Sequence, residues 1–195
     1  NFAAVDMALE HMHEVTAIGE ANGTPMPPIV SEKAPEFIQK VTAMMMKNKG
    51  DLLPVSAFPV DGVWPTDTTQ WEKRAIALQI PVWEPELCIQ CAKCAMVCAH
   101  AAVRLKVYDP ALLEGAPEGF KSGEWRDKKK PGQRYTLQIA PDDCTGCGVC
   151  VDVCPAKSKE VAKRKSINME PKLEHLEAEQ ANFDFFLKLP ELPRT

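Results

Sequence analysis

No stretch of the 195-residue chain approaches the ~18 consecutive apolar residues that cross a bilayer, and the N-terminus lacks a charged-then-apolar signal segment. Neither membrane insertion nor secretion is expected, and the sequence reads as cytoplasmic. Positive charge is not in excess: 23 Lys+Arg against 27 Asp+Glu leave a net charge of −4, which argues against nucleic acid as the main partner. The chain has no P-loop, G-x-G-x-x-G, H-E-x-x-H or G-x-S-x-G motif, so nucleotide cradles, zinc proteases and serine hydrolases lack support. Glycine is scarcer than proline, 10 against 17, which implies much irregular backbone. An initiator Met is missing, and Asn1-Phe2-Ala3-Ala4-Val5 reads as if cut from something longer.

Cysteine is absent from residues 1–87 and 155–195, yet eight lie between: Cys88, Cys91, Cys94, Cys98, Cys144, Cys147, Cys150 and Cys154. Both quartets read C-x2-C-x2-C-x3-C, the second 56 positions after the first, with Pro85 and Pro141 each three residues ahead. This is the pattern of an internal duplication. A disulfide framework fits poorly, because secretory features are absent and thiols three apart in tight loops are badly placed to pair. Structural zinc usually joins two C-x2-C pairs across a longer gap than these runs have. The spacing is that of bacterial-type [4Fe–4S] ligation, in which the fourth cysteine of each run crosses to the other cluster. Cluster one would then hold Cys88, Cys91, Cys94 and Cys154, and cluster two Cys144, Cys147, Cys150 and Cys98. Metal analysis separates this from zinc, since two cubanes demand about four irons and four sulfides each.

Along the chain, Val5, Leu9, Met12 and Val15 recur at near-helical spacing, so 1–22 reads as helix until Gly19 and Gly23, before the breaker cluster Thr24–Pro28. A second helix is expected from Pro35 to about Asn48, with Phe37, Ile38, Val41, Met44 and Met45 on its apolar face and Gly50 closing it. Pro54, Pro59, Pro65, Pro81 and Pro85 with Trp64, Trp71 and Trp83 make 51–85 an expected extended strap over a partner surface. Between the quartets, the Gly- and Pro-rich segment Asp109–Arg134 reads as an inserted loop carrying Arg126-Asp127-Lys128-Lys129-Lys130. That run is either a solvated loop or a dock for an acidic electron acceptor. A last helix over 171–187 would bury Leu173, Leu176, Phe183 and Leu187.

The two loops differ. Gly146 and Gly148 let the second curl tightly; the first has no glycine but carries Lys93, with His100 just beyond Cys98. Cations favour a reduced cluster and Asp152 disfavours one, so cluster one is expected to be the easier to reduce. Ala99 follows Cys98 where Pro155 follows Cys154, which loosens that turn. His11, His13 and His175 read as surface or packing residues, and Met44-Met45-Met46 as helix packing.

Beyond the cysteines, the stretches Phe58-Pro59-Val60-Asp61-Gly62, Thr68-Thr69-Gln70-Trp71-Glu72-Lys73-Arg74 and Ile80-Pro81-Val82-Trp83 resemble pyruvate:ferredoxin (flavodoxin) oxidoreductase. So do Val107-Tyr108-Asp109-Pro110, Ala140-Pro141-Asp142-Asp143-Cys144-Thr145-Gly146-Cys147, Asp184-Phe185-Phe186-Leu187 and the opening Asn1–Asp6. The resemblance covers essentially the whole chain, with Ala99 its visible departure. It implies a piece of a large multidomain, homodimeric enzyme that oxidatively decarboxylates pyruvate to acetyl-CoA and CO2. Thiamine diphosphate, Mg2+, a third [4Fe–4S] cluster and the CoA site would lie outside this piece. Ferredoxin or flavodoxin would take the electrons, and the remaining domains of the parent would be its partners. All eight cysteines match the family's cluster ligands.

The expected fold is α+β. Residues 1–26 would end a preceding domain and 27–67 form an extended Pro-rich linker. A duplicated β-α-β 2×[4Fe–4S] ferredoxin-like domain would occupy 68–184, with 185–195 connecting onward. The rival reading is a stand-alone ferredoxin-type carrier or an Fe–S subunit of another redox complex.

Overall fold

Proline placement and left-handed backbone, more than helix propensity, set the element boundaries. The computed structural model describes residues 2–16, 19, 23 and 28–191. The chain divides into two units, Asn1–Trp71 and Glu72–Thr195.

In the first unit, α1 spans Phe2–Glu10. The helix expected over 1–22 is too long: residues 12–16 are not helical, and Met12 and Val15 are exposed. β-Branched Val15 and Thr16 and the flanking histidines have weak helix propensity, and exposed side chains add no packing to offset it. Most of the breaker cluster Thr24–Pro28 lies outside the described residues. Helical backbone resumes at Glu36, as a π-helical turn Ile38–Thr42 followed by α2, Ala43–Met46. Ile38 and Ala43 pack against Val30 and Ala34. The wide π turn rotates the residues that follow it, so Met45, expected on the apolar face, is 45% exposed. The stop comes at Asn48 rather than Gly50. Asn48 adopts φ +56°, and the Asn48 and Lys49 N–H groups donate to the Met45 and Met44 carbonyls at 3.0 Å each.

Residues 51–71 are not extended throughout. Three 3-10 turns occur, Gly50–Leu52, Val55–Ala57 and Thr68–Trp71, because proline stiffens the chain without forbidding single turns. Trp64 meets Phe37 edge-on at 5.0 Å, and Trp71 packs beside Ile38 and Val30. Both indoles contact side chains of their own unit, Trp64 while staying exposed.

The second unit contains two small sheets. β1 (Gln79–Trp83) pairs antiparallel with β5 (Ile167–Pro171), Trp83 opposite Ile167. Pro81 is tolerated within β1 because a two-stranded sheet consists only of edges. β2 (Val103–Tyr108) pairs antiparallel with β4 (Arg134–Ile139), and β3 (Gly123–Glu124) lies on the far side of β4. Four-residue helices follow the cysteine loops: α3 (Lys93–Met96) between β1 and β2, and α4 (Val149–Asp152) between β4 and β5. The architecture is mixed α/β. The segment expected as a loop contributes β3 and is anchored: Thr136 Oγ1 donates to the Lys121 carbonyl at 2.7 Å, and Arg134 Nε to Ser122 Oγ at 2.9 Å.

The last helix, α5, spans Lys172–Lys188, with Pro171 just before its first turn. Its buried face is Lys172, Glu179, Asn182, Phe183 and Phe186. Phe183 is buried as expected, but its buried neighbours are Lys172, Glu179, Asn182 and Phe186 rather than the expected leucines. Leu173 and Leu187, assigned to the core, are 87% and 51% exposed. Two polar members of the buried face, Lys172 and Asn182, take fixed partners that a hydrophobicity pattern does not register. Lys172 Nζ donates to the Ala75 carbonyl at 3.0 Å, and Asn182 Nδ2 to the Gly119 carbonyl at 3.2 Å.

Candidate metal centre

Both cysteine loops curl through two left-handed residues at matching positions. In the first these are Gln90 and Ala92, each at φ +59°; in the second, Gly146 at +73° and Gly148 at +76°. The curl turns backbone N–H groups toward sulfur. Gln90 N donates to Cys88 Sγ at 3.3 Å and Gly146 N to Cys144 Sγ at 3.4 Å, while Ala102 N donates to Cys98 Sγ at 3.3 Å. Glycine adopts this conformation freely, whereas Gln90 and Ala92 bear strain of roughly 1 kcal/mol each. At Gly146 there is a second reason for glycine: a Cβ there would lie 3.1 Å from the Gln79 carbonyl oxygen.

All eight thiols are free. They are gathered around two cavities. Cys88, Cys91 and Cys94 line the first together with Cys154 from the other run, beside Trp83 and Tyr135. Cys144, Cys147 and Cys150 line the second together with Cys98, beside Pro81 and His100. Cys91 and Cys147 are exposed, Cys144 and Cys150 buried. Burial pushes the Cys94 thiol up to about 12 and Cys150 to about 11, and it raises Cys144 as well. In each case the neighbouring sulfurs add to the effect. Cys94 lies on α3 and lines the first cavity, Cys150 lies on α4 and lines the second, and the two helices pack together.

The donor set fits a group larger than one ion. Each cavity is lined by four thiols, three from one run and one from the other, a donor set suited to a sulfur-ligated iron cluster. The first cavity also holds polar groups that lack a partner. Among the described residues, the Tyr135 hydroxyl and Trp83 Nε1 are buried with no hydrogen-bond partner, and both residues line that wall. A sulfur-rich acceptor in the cavity would supply one. Tyr135 lines the same cavity as Cys88, Cys91 and Cys94, and burial, then those cysteines, raise its pKa.

The sequence signalled the cysteines but not these two aromatics. In the sequence Trp83 reads as part of a strap and of a family-like stretch, not as a cluster neighbour, and Tyr135 carries no signal. The charge contrast between the loops also changes. Lys93 is exposed, and His100 belongs to the second cavity's wall rather than the first. His175 Nε2 lies 3.0 Å from Glu170 Oε2, away from both cavities.

Family profiles match three stretches. A domain of unknown function named EKR matches residues 24–77, and two profiles described as 4Fe-4S dicluster domains match 87–158 and 136–182. Among the similar curated proteins, the pyruvate-flavodoxin oxidoreductases of Trichormus variabilis and Nostoc sp. are 48% and 47% identical over all of this chain. The pyruvate:ferredoxin oxidoreductase of Moorella thermoacetica is 47% identical over 98% of it. The chain spans only 17%, 17% and 16% of those three proteins. Among the described residues, no helix is long and apolar enough to cross a membrane.

Proposed function

We propose that this chain, similar over its whole length to a segment of the pyruvate-flavodoxin oxidoreductases, holds two [4Fe–4S] clusters in its second unit and relays electrons within such an enzyme. The observation that carries this reading is the grouping of thiols: each cavity draws three from one run and a fourth from the other. Cys88, Cys91, Cys94 and Cys154 would ligate one cluster, and Cys144, Cys147, Cys150 and Cys98 the other. The order β1-α3-β2 followed by β4-α4-β5 supports reading the second unit as a duplicated β-α-β ferredoxin fold.

When bound, such clusters supply one-electron chemistry at a potential set by hydrogen bonds to sulfur, nearby charge and exposure. The protein's contribution is positional. The left-handed turns at Gln90 and Gly146 aim amides at Cys88 and Cys144, and donors to sulfur ease reduction. Trp83 and Tyr135 add two side-chain donors at the first site, and the second has no aromatic counterpart on its wall. Contact between α3, which carries Cys94, and α4, which carries Cys150, supports a short route from one site to the other.

In the parent enzyme, electrons would come from thiamine diphosphate-dependent, CoA-requiring oxidation of pyruvate and pass to ferredoxin or flavodoxin. Two measurements test this. Anaerobically isolated parent enzyme with Cys88, Cys94, Cys144 and Cys150 changed to serine should lose about eight irons and eight sulfides relative to wild type. Wild-type enzyme should reduce flavodoxin or ferredoxin only when both pyruvate and CoA are present. Unchanged iron content, or zinc at the cysteines, would overturn the relay.

A further inference from the structure

Resting on the relay reading, we propose that the hairpin tip Arg126-Asp127-Lys128-Lys129-Lys130 is the docking site for an acidic electron-carrier protein, with electrons leaving the chain from the first cysteine site. The tip is built rather than loose. It joins β3 to β4, its base is closed by Trp125 N donating to the Gln133 carbonyl at 2.9 Å, and Gly132 turns at φ +80°. Asp127 spends its carboxylate on the backbone, accepting from Lys129 N at 2.9 Å. Among the described residues, Arg126, Lys128, Lys129 and Lys130 make no ion pair, and all are exposed. Four unpaired cations therefore project from a chain whose net charge is −4.

What ties this tip to one site is Gln90. Its backbone N–H reaches Cys88 Sγ, while its side chain grips the base of the tip. Gln90 Nε2 donates to the Glu124 carbonyl at 2.6 Å, and Arg126 N donates to Gln90 Oε1 at 3.0 Å. Beneath the tip, Trp125 stacks on Tyr135 at 5.6 Å, and Tyr135 lines the first cavity. Ile89 and Cys91 of the same loop are exposed, giving a small apolar centre beside a basic rim.

The second loop lacks all of this. Gly146 stands at the position of Gln90 and has no side chain to hold a tip, and of the acids beside that run Asp142 and Asp143 pair with Lys172 and Lys73, while Asp152 is exposed and makes no ion pair among the described residues. Charge thus distinguishes two otherwise similar ends, and an acidic carrier is steered to the first. The step moves one electron from the chain to the carrier's oxidised cofactor, with no bond made or broken.

The test is binding of an acidic flavodoxin to the full-length, cluster-loaded enzyme by calorimetry, at about 20 mM ionic strength where charge is poorly screened. No substrate is present, so an error about the oxoacid leaves the result intact. Combined Lys128→Glu, Lys129→Glu and Lys130→Glu should weaken binding at least tenfold, and adding salt to wild type should abolish most of that difference. Lys33→Glu, Lys47→Glu and Lys49→Glu change net charge equally on the other unit and should stay within about threefold of wild type. Equal losses in both triples, or unchanged binding in the tip variant, would overturn the proposal.

Discussion

Gln90 and Gly146 share one backbone conformation, φ +59° and +73°, at positions 56 residues apart, and each donates its N–H to the sulfur two residues before it. Only one of them is the residue type that the conformation favours. Gly146→Ala should therefore lose roughly 1–3 kcal/mol, from left-handed strain plus a Cβ only 3.1 Å from the Gln79 carbonyl. At Ala92, φ +59°, the reverse change Ala92→Gly should gain about 0.5 kcal/mol, strain relief exceeding the entropy of the freer unfolded chain. Thermal unfolding of the loaded protein measures both. A Gly146→Ala variant as stable as wild type would refute the strain argument.

The cysteine register was legible because ligand spacing is a local, covalent property. What the spacing could not carry is long-range. Gln90 looks like any polar loop residue until β3, 34 residues later, arrives to accept its amide. Tyr135 becomes a candidate donor only when β4 brings it to the first cavity. The face of α5 was misjudged for a related reason. Periodicity weighs Leu173 and Leu187 by hydrophobicity, yet Lys172 and Asn182 take the buried positions because carbonyls of Ala75 and Gly119 wait there. The π turn at Ile38–Thr42 shifts phase by a fraction of a turn, and no propensity scale registers that.

Tyr135→Phe keeps the ring and removes the partnerless hydroxyl. If that hydroxyl donates to sulfur at the first site, it favours the reduced, more negative state. A difference of ~1 kcal/mol between redox states corresponds to about 40 mV for one electron. The variant's higher-potential signal should fall by that order in an EPR-monitored titration, the other signal staying in place. Cys→Ser variants of each run assign the signals. A rise in potential, or equal shifts in both, would refute the donor role.

The raised thiol pKa values fix a pH dependence for the iron-free chain. Cys94, at about 12, and Cys150, at about 11, hold their protons in the folded state well above the ordinary value of 9.0. Between that value and the raised ones the folded state binds more protons than the unfolded state, so stability falls as pH rises. The stripped, reduced protein should lose melting temperature from about pH 9 upward. Cys94→Ser should flatten the decline, because serine does not ionise in this range. An iron-free melting temperature constant from pH 8 to 11 would count against the burial of these sulfurs.

Glu179 offers the opposite use of the same linkage. Its side chain is buried on α5 with no hydrogen bond among the described residues, and desolvation raises its carboxyl above the usual range despite Lys121 and His175. Folding then favours the protonated form, so the group destabilises the protein once pH rises through the raised value. Glu179→Gln preserves shape and removes the charge. It should raise stability by about 1 kcal/mol at pH 7.5 and leave it nearly unchanged at pH 4, where the native carboxyl is already neutral. Urea unfolding at the two pH values measures the difference. A variant less stable than wild type at pH 7.5 would mean that the Glu179 charge is compensated where it sits, and the linkage argument would be wrong for this helix.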